Sequence, residues 1–107
     1  MQTHELRAAC LAAQAAEDWE ELLILAKRHI RQMPTEPAGW MYRAQAFSRA
    51  GRTVAAIAGL RLAAMAFEDE PQIAEQMAEL HEALGQSAQA AQWRSEAAAR
   101  VGRQLRR

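Results

Sequence analysis

His81 and Glu82 are the residues whose pairing first suggests chemistry. A His-Glu pair opens the helical zinc-protease motif His-Glu-x-x-His, whose two imidazoles lie one turn apart and hold the metal while the carboxylate activates water. The second histidine would have to stand at position 85, which is Gly85, so the motif is incomplete. His4, His29 and His81 are widely separated, with no cysteine or carboxylate set at ligand spacing. Cys10 has no second cysteine to pair with, and its neighbours are apolar, so it reads as a small core residue rather than a reactive thiol. Neither a glycine-rich phosphate loop nor a nucleophile elbow occurs. The sequence therefore predicts no catalytic residue, no metal, no cofactor and no small-molecule substrate.

Charge is the second kind of chemistry. Glu68, Asp69, Glu70, Glu75, Glu79 and Glu82 occur with no lysine or arginine among them. Glu75, Glu79 and Glu82 recur at four and three, so on a helix they share one face, suited to a basic segment of a partner. The plainer alternative is a solvated helix, with the carboxylates of residues 68 to 70 complementing its N-terminus. The C-terminus is the reverse, with Arg94, Arg100, Arg103, Arg106 and Arg107 against Glu96. Without interleaved aromatics this cluster is expected to complement the dipole of its own helix, not to bind nucleic acid. A weak contact with anionic lipid, or a head-to-tail contact with the acidic stretch of another chain, are the other uses open to it. Over the whole chain 13 basic and 13 acidic side chains cancel, which leaves no global field for nucleic acid and little repulsion between copies.

The elements that must position these residues are helices. The 107 residues suffice for one domain. Alanine dominates the apolar half, β-branched residues are few, and glycine and proline fall between the apolar runs. The chain repeats itself every 34 residues: Leu6, Trp40 and Ala74; Cys10, Ala44 and Ala78; Ala13, Phe47 and His81; Leu22, Ala56 and Ala90; His29, Ala63 and Ala97. Glu17, Gly51 and Gly85 follow the same step at the turns. Each unit reads as two helices: residues 3–16 and 19–33, 37–50 and 53–67, 71–84 and 87–105. Gly51 and Gly85 mark left-handed stops, and Pro37 and Pro71 mark helix starts. His29, at a position held elsewhere by alanine, is expected in the core or half-buried. No segment resembles a signal peptide or approaches the roughly 20 apolar residues of a membrane span, so a reduced cytoplasmic setting is expected.

With these residues in register the sequence resembles the tetratricopeptide-repeat family, whose motif runs W-x2-L-G-x2-Y, A-x3-F, P. The middle unit carries it through Trp40, Ala44, Phe47, Gly51, Ala56, Leu60 and Ala63, departing at Arg43 and Glu68. The first unit keeps Leu6, Cys10, Leu22 and Pro34; the third keeps Met77, Ala78, Gly85, Ala90 and Ala97 without the aromatics. The resemblance implies an all-α fold, a right-handed α–α superhelix of three helix-turn-helix repeats, about 3–36, 37–70 and 71–104, forming a single domain over 1–107. It implies an adaptor that binds a peptide or helix of a protein partner in a concave groove lined by the first helix of each unit. A cytoskeletal adaptor resembling the kinesin-light-chain repeats is one such protein; a small chaperone resembling those of type III secretion, holding an export substrate, is the alternative.

The family's ligand-facing positions, carried over, are His4, Arg7, Leu11 and Gln14, then Met41, Gln45, Ser48 and Arg49, then Gln72, Glu75, Glu79 and Glu82. The clamp by which some members grip a chaperone's C-terminal carboxylate is missing: only Arg7 matches it, and Leu11, Tyr42, Gln72 and Gln76 occupy the other places. Repeat stacks usually end in a polar cap. Here Trp93, Ala97, Val101 and Leu105 form a stripe along the sixth helix, and Trp93, Val101 and Leu105 are predicted to meet a second copy or a partner helix.

Overall fold

The computed structural model describes all 107 residues as six helices: α1 Thr3–Ala15, α2 Trp19–Gln32, α3 Ala38–Arg49, α4 Thr53–Ala66, α5 Pro71–Ala83 and α6 Ser87–Leu105. They fall as three hairpins within one residue of the predicted bounds at every end. The repeat extends to the turns. Asp18, Arg52 and Gln86 donate their backbone N–H to the carbonyls of Ala13, Phe47 and His81, the same closing bond 34 residues apart each time. The residue before each donor is left-handed: Gly51 at φ 82°, Gly85 at 72°, and Glu17 at 56°. Glu17 is the only non-glycine with positive φ. Asp18 then opens α2 by accepting a bond from the Glu21 N–H at 3.1 Å. Pro71 stands in the first turn of α5, where its missing N–H costs nothing.

Small residues at the register positions set the spacing of the helices. Cys10, Ala44 and Ala78 are buried, as are Leu22, Ala56 and Ala90, and His29, Ala63 and Ala97. Around them lie two apolar clusters. One joins Leu6, Cys10, Leu22, Leu25 and Met33, with Trp19 and Tyr42 against it. The other joins Ile57, Leu60, Ile73, Met77 and Leu80, with Trp40, Phe47, Phe67 and Trp93 packed on it. Arg43, the departure from the family's leucine, lays its guanidinium 4.7 Å from the Trp40 ring centroid and reaches toward Gly59 of α4. The aliphatic stem supplies the packing that leucine would give. Burial raises the Cys10 and Tyr42 pKa values, so the buried sulfur is held as thiol.

The C-terminal arginines differ from expectation. Three of them do not merely face the dipole of their own helix or wait for another chain: Arg100, Arg103 and Arg107 fasten α6 to the end of α4 and the turn that leads into α5, while Arg94 pairs with Glu82 of α5. Arg100 is buried and donates to the carbonyls of Ala64 at 2.9 Å, Phe67 at 3.0 Å and Glu70 at 3.1 Å, and to the Glu96 carboxylate at 2.9 Å. Arg103 bonds Asp69 at 3.1 Å and Glu68 carbonyl at 3.0 Å, and Arg107 pairs with Asp69. Asp69 is thus neutralised within the chain. No helix is long and apolar enough to cross a membrane.

The joint between the first two hairpins holds a titratable group. His29 is 1% exposed, with neither ring nitrogen hydrogen-bonded. Its Nε2 lies 3.7 Å from the Glu36 carboxylate, which is itself bonded by Arg7 of α1. Burial lowers the His29 pKa, with Glu36 opposing. The folded protein therefore excludes a proton that the unfolded chain accepts below its ordinary value of about 6.5. Glu36, held low by its hydrogen bond from Arg7, and Glu96, held low by Arg100 and Arg103, act in the same sense below the ordinary carboxylate range. Denaturant midpoints should be flat from pH 8 to 7 and fall below pH about 6.5, with a His29 contribution of at most about 1.4 kcal/mol per pH unit. His29→Leu should flatten the limb above pH 5 and leave the more acidic limb.

Candidate partner-binding groove

The first helices of the hairpins, α1, α3 and α5, enclose an open hollow of about 560 Å³. Each presents one face because residues three and four apart share a side of a helix. From α1 comes Gln14; from α3 come Met41, Tyr42, Gln45, Ser48 and Arg49; from α5 come Gln72, Glu75, Gln76 and Glu79. Ala38 and Leu80 complete the lining. Eight predicted groove residues meet here: Gln14, Met41, Gln45, Ser48, Arg49, Gln72, Glu75 and Glu79.

The other four lie outside it. His4 and Leu11 are exposed on α1, Leu11 by 55%. Arg7 is engaged with Glu36, and Glu82 with Arg94 of α6 at 3.0 Å. Ala38 has the repeat position of His4 and Gln72, so the register contained it. Tyr42 and Gln76, which hold places of the missing clamp, and Leu80 line the hollow although the ligand-facing set omits them; each follows a lining residue by one or by four, the signal that a wider helix face gives.

Amides organise the floor. Gln14 Nε2 donates to Gln45 Oε1 at 2.6 Å, tying α1 to α3, and Gln76 Nε2 donates to the Met41 carbonyl at 2.9 Å, tying α3 to α5. The buried Gln76 Oε1 is left without a partner. Arg49 sits over the Trp19 ring, 5.3 Å from its centroid. On the facing wall Glu75 and Glu79 are exposed and form no ion pair. They also border a second hollow of about 450 Å³ shared with Ala78, Arg94, Ala97 and Val101. The arrangement can accept and donate hydrogen bonds through amides, cover an apolar side chain with Met41 and Tyr42, and attract positive charge at α5. No group of three histidine, cysteine or acidic side chains is placed to hold a metal. His81 bonds Gln86 at 2.7 Å across the turn after α5.

Of the predicted outer face on α6, Trp93 turns inward onto the core and Ala97 is buried. Val101 is 41% exposed and Leu105 81%.

No family model matches the chain, and no curated protein does. Solved structures do. The TPR domain of Sgt2 from Aspergillus fumigatus superposes with a TM-score of 0.84, covering 94% of this chain at 17% identity. Two MamA structures, one of them MSR-1, give TM-scores of 0.82 and 0.79 over 99% and 96% of this chain, at 9% and 16% identity. This chain spans between 59% and 66% of the lengths of these three. At such identities the likeness is one of fold: six helices without a strand, arranged as the α–α superhelix of three tetratricopeptide repeats.

Proposed function

We propose that this protein is an interaction module whose concave groove holds an extended or helical segment of a protein partner, with a basic side chain of that segment set against Glu75 and Glu79. The carrying observation is that these two carboxylates face the hollow without a cation of their own, while Glu82, next on the same helix, is already paired. The free amide groups of Gln14, Gln45 and Gln72 supply main-chain hydrogen bonding that is indifferent to the partner's side chains, and Met41 and Tyr42 supply an apolar seat. Specificity then rests on the acidic wall. No groove residue marks a cytoskeletal partner, so the proposal stops at the chemistry of the segment.

Peptides selected from a random display library on the wild-type protein should be enriched in lysine or arginine. Their affinity should fall at least about 30-fold in the Glu75→Lys, Glu79→Lys variant and weaken with added salt. Selected peptides without basic residues, or an unchanged affinity in the variant, would discard the proposal.

A further inference from the structure

We propose that two copies of this chain associate back to back through the outward face of α4, leaving both grooves open. The buried face of α4 consists of Ala56, Ile57, Leu60, Ala63 and Ala64. Opposite it, within an arc of about 100°, lie Val54, Ala58, Arg61, Leu62 and Met65. Val54 is 71% exposed, Leu62 61% and Met65 72%. A helix that is apolar all round is ordinarily buried all round, yet this one covers only half of itself.

The internal repeat shows that these positions face outward by design of the fold. The places of Val54, Ala58, Arg61, Leu62 and Met65 are held in α2 by Glu20, Ile24, Lys27, Arg28 and Arg31. In α6 they are held by Ala88, Gln92, Ser95, Glu96 and Ala99. The flanking helices present charge, amides or alanine where α4 presents valine, leucine and methionine. No residue of α4 lines the groove, so the stripe has no part in holding the segment proposed above.

The occupant that fits is α4 of a second copy. Val54 and Leu62 stand four residues before and after Ala58. An antiparallel pair crossing at Ala58 therefore sets each Val54 on the other copy's Leu62, with the smallest side chain of the stripe at the point of closest approach. This is the self-complementarity a two-fold interface requires. Arg61 is the only charged residue of α4, and its long stem lets the guanidinium stay in water at the edge. Equal numbers of acidic and basic residues leave no net repulsion between copies. The exposed stripe offers roughly 500 Å² per copy, so the pair buries about 1,000 Å², the lower limit for a specific contact, and a dimer in the micromolar range is expected. Two grooves facing away from each other would then engage two segments of one partner at once.

Light scattering after gel filtration, run from about 1 to about 200 µM, should show the molar mass rising from 11.9 kDa toward twice that value. Leu62→Glu with Met65→Glu, both at exposed positions and checked for intact helicity by circular dichroism, should raise the dimer dissociation constant at least about 30-fold. Ala58→Cys should form a disulfide-linked dimer on mild oxidation, whereas Leu105→Cys should not, and buried Cys10 should stay silent in both. A wild type that stays monomeric to the top concentration would overturn the proposal, the stripe then belonging to another protein. So would a double variant that dimerises like wild type, or a dimer abolished by Leu105→Glu instead.

Discussion

Arg100→Met is expected to lower the stability of this protein by about 3 kcal/mol, on a total of about 5–15 for a domain of this kind. The guanidinium is the only donor reaching the carbonyl of Ala64, which is buried, and it also serves those of Phe67, which caps α4, and Glu70, which precedes α5. The last carbonyls of any helix lack partners within the helix. Here a side chain from 36 residues further along provides one, placing positive charge at the negative end of the α4 dipole. Methionine preserves much of the stem's packing and removes every donor, so the loss reads the hydrogen bonds rather than the volume. Desolvated carbonyls left bare cost about 1–3 kcal/mol each when water cannot reach them. A thermal midpoint lower by roughly 10–20 °C is the corresponding observable. Arg100→Lys should recover only part of it, because an ammonium cannot fork to carbonyls on three residues. A shift below about 1 kcal/mol for Arg100→Met would mean that water replaces the guanidinium.

That role explains why the sequence misleads at the C-terminus while it is faithful about the helices. Helix bounds and turns are local: Gly51 and Gly85 declare themselves by type, and a 34-residue period declares the hairpins by repetition. Arg100 is read with its neighbours as a basic tail, since nothing near it in the chain is acidic except Glu96. Its partners are backbone carbonyls, which no residue type announces. The groove was legible where register fixes it: eight of the twelve predicted residues line one hollow. Two of the four misses have a physical cause in pairing, since Arg7 and Glu82 are engaged by Glu36 and Arg94, ion pairs that the 34-residue register does not encode; His4 and Leu11 stand exposed on α1. Trp93 belongs to an apolar stripe on α6 by spacing, but a ring of that size fills the gap beside alanines and packs inward. The stripe on α4 is the converse case. With valine, leucine and methionine on one side and alanine, isoleucine and leucine on the other, composition cannot tell which side is core; only the packing decides.

Gly39→Val should destabilise the protein by about 3 kcal/mol, and adding His29→Ala should cost almost nothing further, although it is costly on its own. A Cβ on Gly39 would stand 2.8 Å from His29 Nδ1 and 3.1 Å from both His29 Cγ and Ile30 Cγ1. Contacts that short force something to move, and the imidazole has nowhere to go. It is 1% exposed, flanked by the edge of Tyr42 with ring centroids 6.4 Å apart and by the Glu36 carboxylate 3.7 Å away. Gly59 makes the contrast. The atom nearest its added Cβ is the tip of Arg43, which can swing aside, so crowding there is cheap. At Gly39 the obstacle is a buried ring, and α3 itself must shift from α2. His29→Ala alone opens a cavity and should cost about 2 kcal/mol. In the double variant the valine occupies part of that space, so the combined loss should fall short of the sum by about 2 kcal/mol. Losses that simply add within about 0.5 kcal/mol would show that the ring and the glycine do not constrain each other. The consequence extends to the groove, because α3 carries both Gln45, bonded to Gln14, and the Met41 carbonyl, bonded to Gln76. Gly39→Val should therefore weaken binding of the selected basic peptides even at temperatures where the variant is folded, and the double variant should restore it.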